Sequence, residues 1–526
     1  MTQQLPERAN LEQLRKQAKS LLHAVQADDP DALNRSQPVL ATTGPSDHQS
    51  FALHDAQFVI AREYGFTSWN ELRKHVEERS LSFDAAIDEF VRCATGDAPE
   101  RALRLLALHP GIARASLFTE LVLGDADAVV ARLMARSDAA RQSGESGGPQ
   151  NWEPLLYVCH TSLHRESPDR AAGLVEIARE LLRRGANPNA EYHWNWHREL
   201  PRTALWGALI AMGHLALAEV LLEAGANPTD GVSTHIAAAA GNLQALELLR
   251  RFGVNVNGIP GGVPPLRYIL SWASPSRPAD GVRWLLEHGA DPNLAWAEPG
   301  DAPLHVAAQR MNVAMVQLLV SHGGDIHQRR SDGKTPHTIA SLYGNEEIAT
   351  WLLQQGAVDE LTPFECFVAA CARGDRSRAD EMLVQHPSLR GELRTEHHLM
   401  LQVPAERGDI RVLETMLGCG FDPNTPDHDG VTALHRAAMA GKSDAIRVLL
   451  AGGAKVDALD GMFSGTPFVW ACEGSSYAQP GANHIAVARQ LLAAGSSREW
   501  IPPENTPNPE RTQDLIAELC RAAEAA

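Results

Sequence analysis

The chain has 526 residues and a formal net charge of −18, with 47 Lys+Arg against 65 Asp+Glu. That length is more than one hydrophobic core fills, so either several domains or an array that grows in one direction is required. The 44% apolar and 21% charged composition excludes a disordered chain, and an acidic balance without a Lys/Arg block argues against nucleic acid as a ligand, because such a surface repels phosphates.

The N-terminal stretch MTQQLPERANLEQLRKQAK lacks the apolar core of a secretory signal. Residues 5–27 then place Leu11, Leu14, Ala18, Leu21 and Val25 on one helical face. The polar stretch 28–50 reads as a loop. FALHDAQFVIAREYG at 51–65 predicts a second amphipathic helix, and Ser68-Trp69-Asn70-Glu71 is a capping box opening a third, to about Arg79. Residues 84–146 look like two degenerate units, since AAIDEFVRCATGDAPERALRLLALHP is similar to VAACARGDRSRADEMLVQHPSLR further on. Nowhere does an uncharged apolar run approach the roughly 18 residues of a membrane span.

From about residue 150 a repeat governs the chain. LLRRGANPN, LLEAGANPT, LLRRFGVNVN, LLEHGADPN, LLVSHGGDI, LLQQGAVDE, MLGCGFDPN, LLAGGAKVD and LLAAGSSRE recur, with glycines at Gly185, Gly225, Gly253, Gly289, Gly323, Gly356, Gly420, Gly453 and Gly495. The spacing is about 33 residues, the long interval after Gly356 being two periods. A second phrase keeps step: TALWGALIAMGH, STHIAAAAGN, APLHVAAQRMN, TPHTIASLYGN and TALHRAAMAGK. Each pair reads as a helix–turn–helix. Thr caps the first helix, Pro303 or Pro336 sits in its first turn, and small residues such as Ala307, Ala308, Ala437 and Ala438 allow close approach. A glycine turns the chain into a second helix with V-x-x-L-L spacing, and the closing glycine ends it in the left-handed conformation. Pro502–Pro509 is a linker, and 511–525 predicts a closing helix.

These phrases resemble the ankyrin-repeat family, whose pattern APLHVAAQRMNVAMVQLLVSHGGDI and TALHRAAMAGKSDAIRVLLAGGAKVD follow closely; His337 departs where Leu is usual, and Ser233 where Pro is. The resemblance implies an all-α ankyrin-repeat solenoid, stacked helix–turn–helix units with short hairpin fingers, preceded by a small helical domain. It divides the chain into an N-terminal module (1–80), degenerate repeats (84–146), the array (147–500) and a C-terminal capping helix (501–526). The unit around Gly253 is short, so its finger is trimmed. NLEQLRKQAKSLL and AQFVIAREYGFTSWNELRKHV are similar to a small module ahead of ankyrin arrays in bacterial proteins, and the excess of Arg over Lys suits a GC-rich bacterial genome.

Motifs that suggest other chemistry are incomplete. Gly144-Glu145-Ser146-Gly147-Gly148 fits a nucleophile elbow, but neither a strand before it nor a helix after it is indicated. His193 and His197, and Cys159 with His160 and His164, have no metal-site completion. His305 and His435 stand at the family's structural histidine. The seven cysteines, without a Cys-x-x-Cys, read as free buried thiols of a reducing compartment.

The stretched finger 191–202 carries Tyr192, Trp194 and Trp196, which alternation puts on one side of an extended segment. They either anchor a partner or fold back onto the array. The insertions 160–172, 272–280 and 474–484 fall between the two helices of a unit. By repeat phase, finger and groove positions are Glu298, Asp301, Gln309 and Arg310 in one unit, Ser331, Lys334, Leu342 and Tyr343 in the next, and His428, Asp429, Val431 and Met439 in a late one. In the family such positions contact partners. The expected function is a cytoplasmic scaffold that binds a protein partner through fingers and concave groove, as a monomer, with no enzymatic activity, cofactor, metal, nucleic acid or membrane. Two alternatives stand beside it. One is a small-molecule sensor or enzyme whose N-terminal module uses Arg8, Lys16, Lys19, His23 or His54. The other is an effector directed at a host.

Overall fold

The computed structural model describes the chain except residues 1–4, 7–8, 44–50, 97, 136–146, 194–200, 273–278, 298, 478–480, 504–508 and 526. It is mostly helical and divides into two compact units, one of Met1–Tyr192 with Arg202–Asn227, the other taking in Pro228–Ala526. The break thus falls inside the repeat array, between Asn227 and Pro228.

In the first unit, helix Leu11–Gln26 buries Leu14, Ala18, Leu21 and Val25, the face its periodicity foretold. Helices Leu53–Glu63 and Trp69–Ser80 add Val59, Ile60, Leu72 and Val76 to the same core. Each such Leu, Ile or Val contributes about 1.5–3 kcal/mol by leaving water. Ser68 caps helix Trp69–Ser80 through Glu71 N at 3.2 Å, while the Glu71 carboxylate returns to Thr67 N at 2.8 Å, one residue earlier than a standard box. The expected loop 28–50 is corrected: Pro30–Thr43 is a helix. Pro30 occupies its first turn, where a missing N–H is harmless, and Asp29 accepts from Asp31 N and Ala32 N. Ala32 and Ser36, one turn apart, face the core.

The degenerate stretch forms two helix pairs, Phe83–Ala94 with Pro99–Leu108 and Leu117–Leu123 with Ala126–Ala135. The first pair ends on His109-Pro110 and a 3₁₀ turn, Pro110–Arg114. In the second unit His386-Pro387 and Pro387–Glu392 do the same, and the two histidines share a backbone conformation (φ −130, ψ 76 against φ −136, ψ 77). Both units therefore replace the closing glycine turn by the same His-Pro device.

The regular units are built as the repeats predict. All nine closing glycines, from Gly185 to Gly495, are left-handed, with φ between 80 and 101. At Gly289 an added Cβ would meet nothing within 4 Å, so conformation and not space requires glycine there. Thr203, Thr335 and Thr466 cap inner helices, and Asn242, Asn312 and Asn483 cap outer ones. Between Thr203 and Gly213 lies one residue more than between Thr432 and Gly441, and helix Ala204–Trp206 absorbs it by continuing as a π turn, Gly207–Ala211. The finger between Gly225 and Gly253 is trimmed as expected, with Asp230 accepting from Val232 N, Ser233 N and Ser233 Oγ.

Side chains of the closing turns couple one repeat to the next. In the second unit, Asn257 Oδ1 accepts from Asp291 N at 2.8 Å, Asn293 from Asp325 N at 2.8 Å, and Asn424 from Lys455 N at 2.7 Å. Asn189 accepts from Asn227 N in the same way within the first unit. Helix Pro509–Ala525 closes the second unit with Ile516, Leu519 and Ala523. No helix of the described residues is long and apolar enough to cross a membrane.

Candidate functional site

Inner helices of the second unit set the candidate surface. Pro303–Arg310 buries every residue from Pro303 to Ala308 and Pro336–Leu342 is buried throughout, which leaves Gln309, Arg310 and, just past the second helix, Tyr343 partly accessible. Gln309 and Tyr343 are half-buried there, their side chains hydrogen-bonded to each other, and Arg310 is exposed. Leu342 and Val431, also picked by repeat phase, are buried in the core. The small inner helix lets the stack pack so closely that these two positions are absorbed by it.

The finger positions form a charge network. Trp296 and Asp301 pair across the finger. Asp301 lies 2.9 Å from Arg330 Nη1 and 3.8 Å from Arg267 Nη2, and Arg330 also reaches Asp332 at 2.7 Å. Lys334 Nζ donates to Asp332 at 2.8 Å, and Ser331 donates to Pro299 O. Burial works against the Asp332 carboxylate, yet hydrogen bonds from Arg330 and Lys334 hold its pKa down to about 2. Burial lowers the Arg267 pKa, and its guanidinium lies 4.8 Å over the Trp296 ring. Arg267, Arg330 and Asp332 were not singled out from sequence; Arg330 and Arg267 meet Asp301 from 29 and 34 residues away along the chain, while Asp332 pairs locally with Arg330 and Lys334.

His305 ties this network to the stack. Ala302 N donates to its Nδ1 at 3.3 Å, which leaves Nε2 to donate to Gln328 O and Lys334 O. His435 repeats the arrangement with Thr432 N and Gly465 O. Both are structural, as their position in the repeat suggested.

In the late unit, His428 Nε2 lies 3.1 Å from Asp429 Oδ2, and with Asp427 they offer three ligand atoms within 4.8 Å of one another. The Asp427 oxygens already accept from Asp429 N, Val431 N and Arg436, which makes the trio a loop cap. Arg436 in turn lies 5.9 Å from the Trp470 ring centroid. A cavity of about 760 Å³ opens among the outer helices, but Arg373, Arg376 and Arg411 are balanced there by Glu346, Asp375 and Glu414.

In the first unit Tyr192 takes the fold-back alternative. It pairs with Arg202 at the base of the finger and stacks on Trp152 at 4.1 Å, with His160 edge-on at 5.2 Å. Trp194, Trp196 and Glu298, like His197 and Ser146, lie outside the described residues. Cys159 is fully buried, and His160 and His164 bond backbone carbonyls, His164 bridging Thr161 O and Met212 O. Of the N-terminal polar candidates, Lys16 pairs with Glu12, and Lys19 and His23 are exposed on the same helix. Arg8 and the side chain of His54 lie outside the description. All seven cysteines are free.

A model of the family "Ankyrin repeats (3 copies)" matches residues 270–362 and 399–497. The chain is similar to SH3 and multiple ankyrin repeat domains protein 2 of Homo sapiens, 29% identical over 199 residues, 36% of this chain and 10% of that protein. It is similar to Rabankyrin-5 of Homo sapiens, 30% identical over 200 residues, 38% of this chain and 14% of that protein. A shorter stretch of 61 residues is 48% identical to 2-5A-dependent ribonuclease of Mus musculus, 12% of this chain and 8% of that protein. The chain thus spans at most 14% of the length of these three relatives, and what they share with it is the repeat. With the left-handed closing glycines, the buried inner helices and the Thr and His caps, these matches show that the mostly helical chain carries ankyrin repeats over residues 270–362 and 399–497.

Proposed function

We propose that the protein is a cytoplasmic scaffold that acts by binding a protein partner along the fingers and inner groove of its second unit, and not by catalysis. The observation that carries this is the division of labour within each inner helix. Pro303–Ala308 is fully buried, whereas at the helix ends Gln309 and Tyr343 are half-buried, Tyr343 resting against the core, and Arg310 is exposed. A rigid backbone that presents such side chains loses little freedom on binding, which favours association. Repeats of this kind occur in relatives of very different overall size, which fits an interaction module.

The test is a cross-linked pull-down from cytosol of the source organism, comparing the wild type with a Gln309→Ala, Tyr343→Ala variant of unchanged fold. A stoichiometric partner held only by the wild type supports the reading. Equal capture by both, or no partner under native conditions, contradicts it.

A further inference from the structure

The cavity of about 760 Å³ among the outer helices of the second unit has the volume of a small-molecule site. Three elements line it. Helix Glu346–Gln354 contributes its first residue, the turn 373–375 runs into helix Arg376–Gln385, and helix Ile410–Gly418 supplies Arg411, Glu414 and Thr415. These elements are fixed to one another. A Cβ at Gly344 would lie 2.5 Å from Ala372 O, and one at Gly374 would lie 3.0 Å from Arg411 Nε. Arg411 Nη2 donates to Arg373 O at 2.8 Å, and the buried Thr415 hydroxyl donates to Arg411 O at 2.8 Å.

Some of the charges lining the cavity are committed to the fold. Asp375 Oδ1 accepts from Arg378 N at 3.1 Å as the cap of its helix, and Arg376 pairs with Asp380 at 2.7 Å. The others are not. Among the described residues Arg373, Glu346 and Glu414 have no ion pair and no side-chain hydrogen bond, and Arg411 keeps its remaining N–H donors. Two guanidiniums and two carboxylates therefore line one cavity without pairing with each other.

We propose that this cavity binds a small zwitterion, a free amino acid or a short peptide, whose carboxylate is taken by Arg373 and Arg411 and whose ammonium is taken by Glu346 and Glu414. The site lies on outer helices and goes beyond partner binding at the inner groove. A planar guanidinium meets a carboxylate two bonds at a time, and an ammonium offers three donors to the carboxylates. A ligand of one sign is disfavoured, because inorganic phosphate would face Glu346 and Glu414, and a polyamine would face Arg373 and Arg411. A ligand that carries both charges meets complements of both.

The probe is trialanine, titrated into the full chain at neutral pH and followed by saturation-transfer difference NMR. N-acetyl-trialanine and trialanine amide, each lacking one charge, are its counterparts. Trialanine gives a saturable signal, and each blocked peptide binds about tenfold more weakly. Trialanine weakens to the same extent with Arg373→Gln or Glu414→Gln, whose side chains lie outside the core and whose melting temperature stays that of the wild type. Arg447→Gln, at an exposed outer-helix site paired with Asp444, leaves binding unchanged. Alanine, run beside trialanine, tells an amino-acid ligand from a peptide, and saturable binding of either supports the proposal. Equal binding by the blocked peptides, unchanged binding in either cavity variant, or no saturable signal from alanine or trialanine overturns it.

Discussion

Asn293 holds the turn of the repeat that follows it: its Oδ1 accepts from Asp325 N at 2.8 Å and its Nδ2 donates to Gly323 O at 2.8 Å. Two hydrogen bonds thereby fix the distance between neighbouring units at the edge where the fingers emerge. Asn257 and Asn424 make the same pair of bonds. Thr229, bonded to Asn255 N, and Asp457, bonded to Ser496 and Ser497, stand in for asparagine.

Asn293→Ala should cost about 1–2 kcal/mol, two net hydrogen bonds in a partly solvated setting. Asn293→Asp, which keeps the acceptor, should cost about half of that. Hydrogen exchange is the direct check, since protection of the Asp325 amide should fall in Asn293→Ala and largely persist in Asn293→Asp.

Two glycines of one outer helix region separate conformational from steric need. At Gly289, with φ 92 and open space around it, alanine should cost about 1–2 kcal/mol from the left-handed backbone alone, and asparagine less. At Gly281 a Cβ would sit 2.0 Å from Ala238 O, so alanine there must push two helices apart. Urea denaturation should show Gly281→Ala as the more damaging of the two; the reverse order would refute this assignment.

Burial lowers the pKa of His235, His305 and His435, and takes that of His160 down to about 4 from an ordinary value of 6.5. The native state therefore keeps these rings neutral while the unfolded chain takes up protons as pH falls below 6.5. Their contribution is complete above that pH and is lost progressively as pH drops toward the folded values. For His160 the loss amounts to about 3 kcal/mol between pH 6.5 and 4. Melting temperature should fall steeply from pH 7 to 5, and less steeply in His160→Gln. An unchanged slope in that variant would show that the ring is not the proton acceptor.

Tyr192→Ala removes a ring stacked on Trp152 and edge-on to His160. The expected result is a loss of about 1–2 kcal/mol in the first unit, with partner capture intact once the protein is folded. Loss of the partner without loss of stability would return Tyr192 to the role of anchor.

Much of this organisation is visible in the residues themselves. The nine glycines mark where outer helices end because a left-handed turn without Cβ strain has few alternatives. Thr335 and Pro336 mark where an inner helix starts for equally local reasons. Helix Pro30–Thr43 escaped because Pro38 and Asn34 disfavour a helix locally, and only tertiary burial of Ala32 and Ser36 favours it. The asparagine clamps escaped because Asn after Pro reads as a turn former, while its partners lie a full repeat away. Gln309, Arg310 and Tyr343 were found by repeat phase.

The central claim, that the groove of the second unit is the binding surface, is tested most directly by site-specific photo-cross-linking in source-organism cytosol. A benzophenone amino acid replaces Gln309 in one variant and Arg378, on an outer helix, in another. The account predicts one discrete cross-linked protein from position 309 and none from 378. Cross-links from 378 alone, or the same products from both positions, would contradict it.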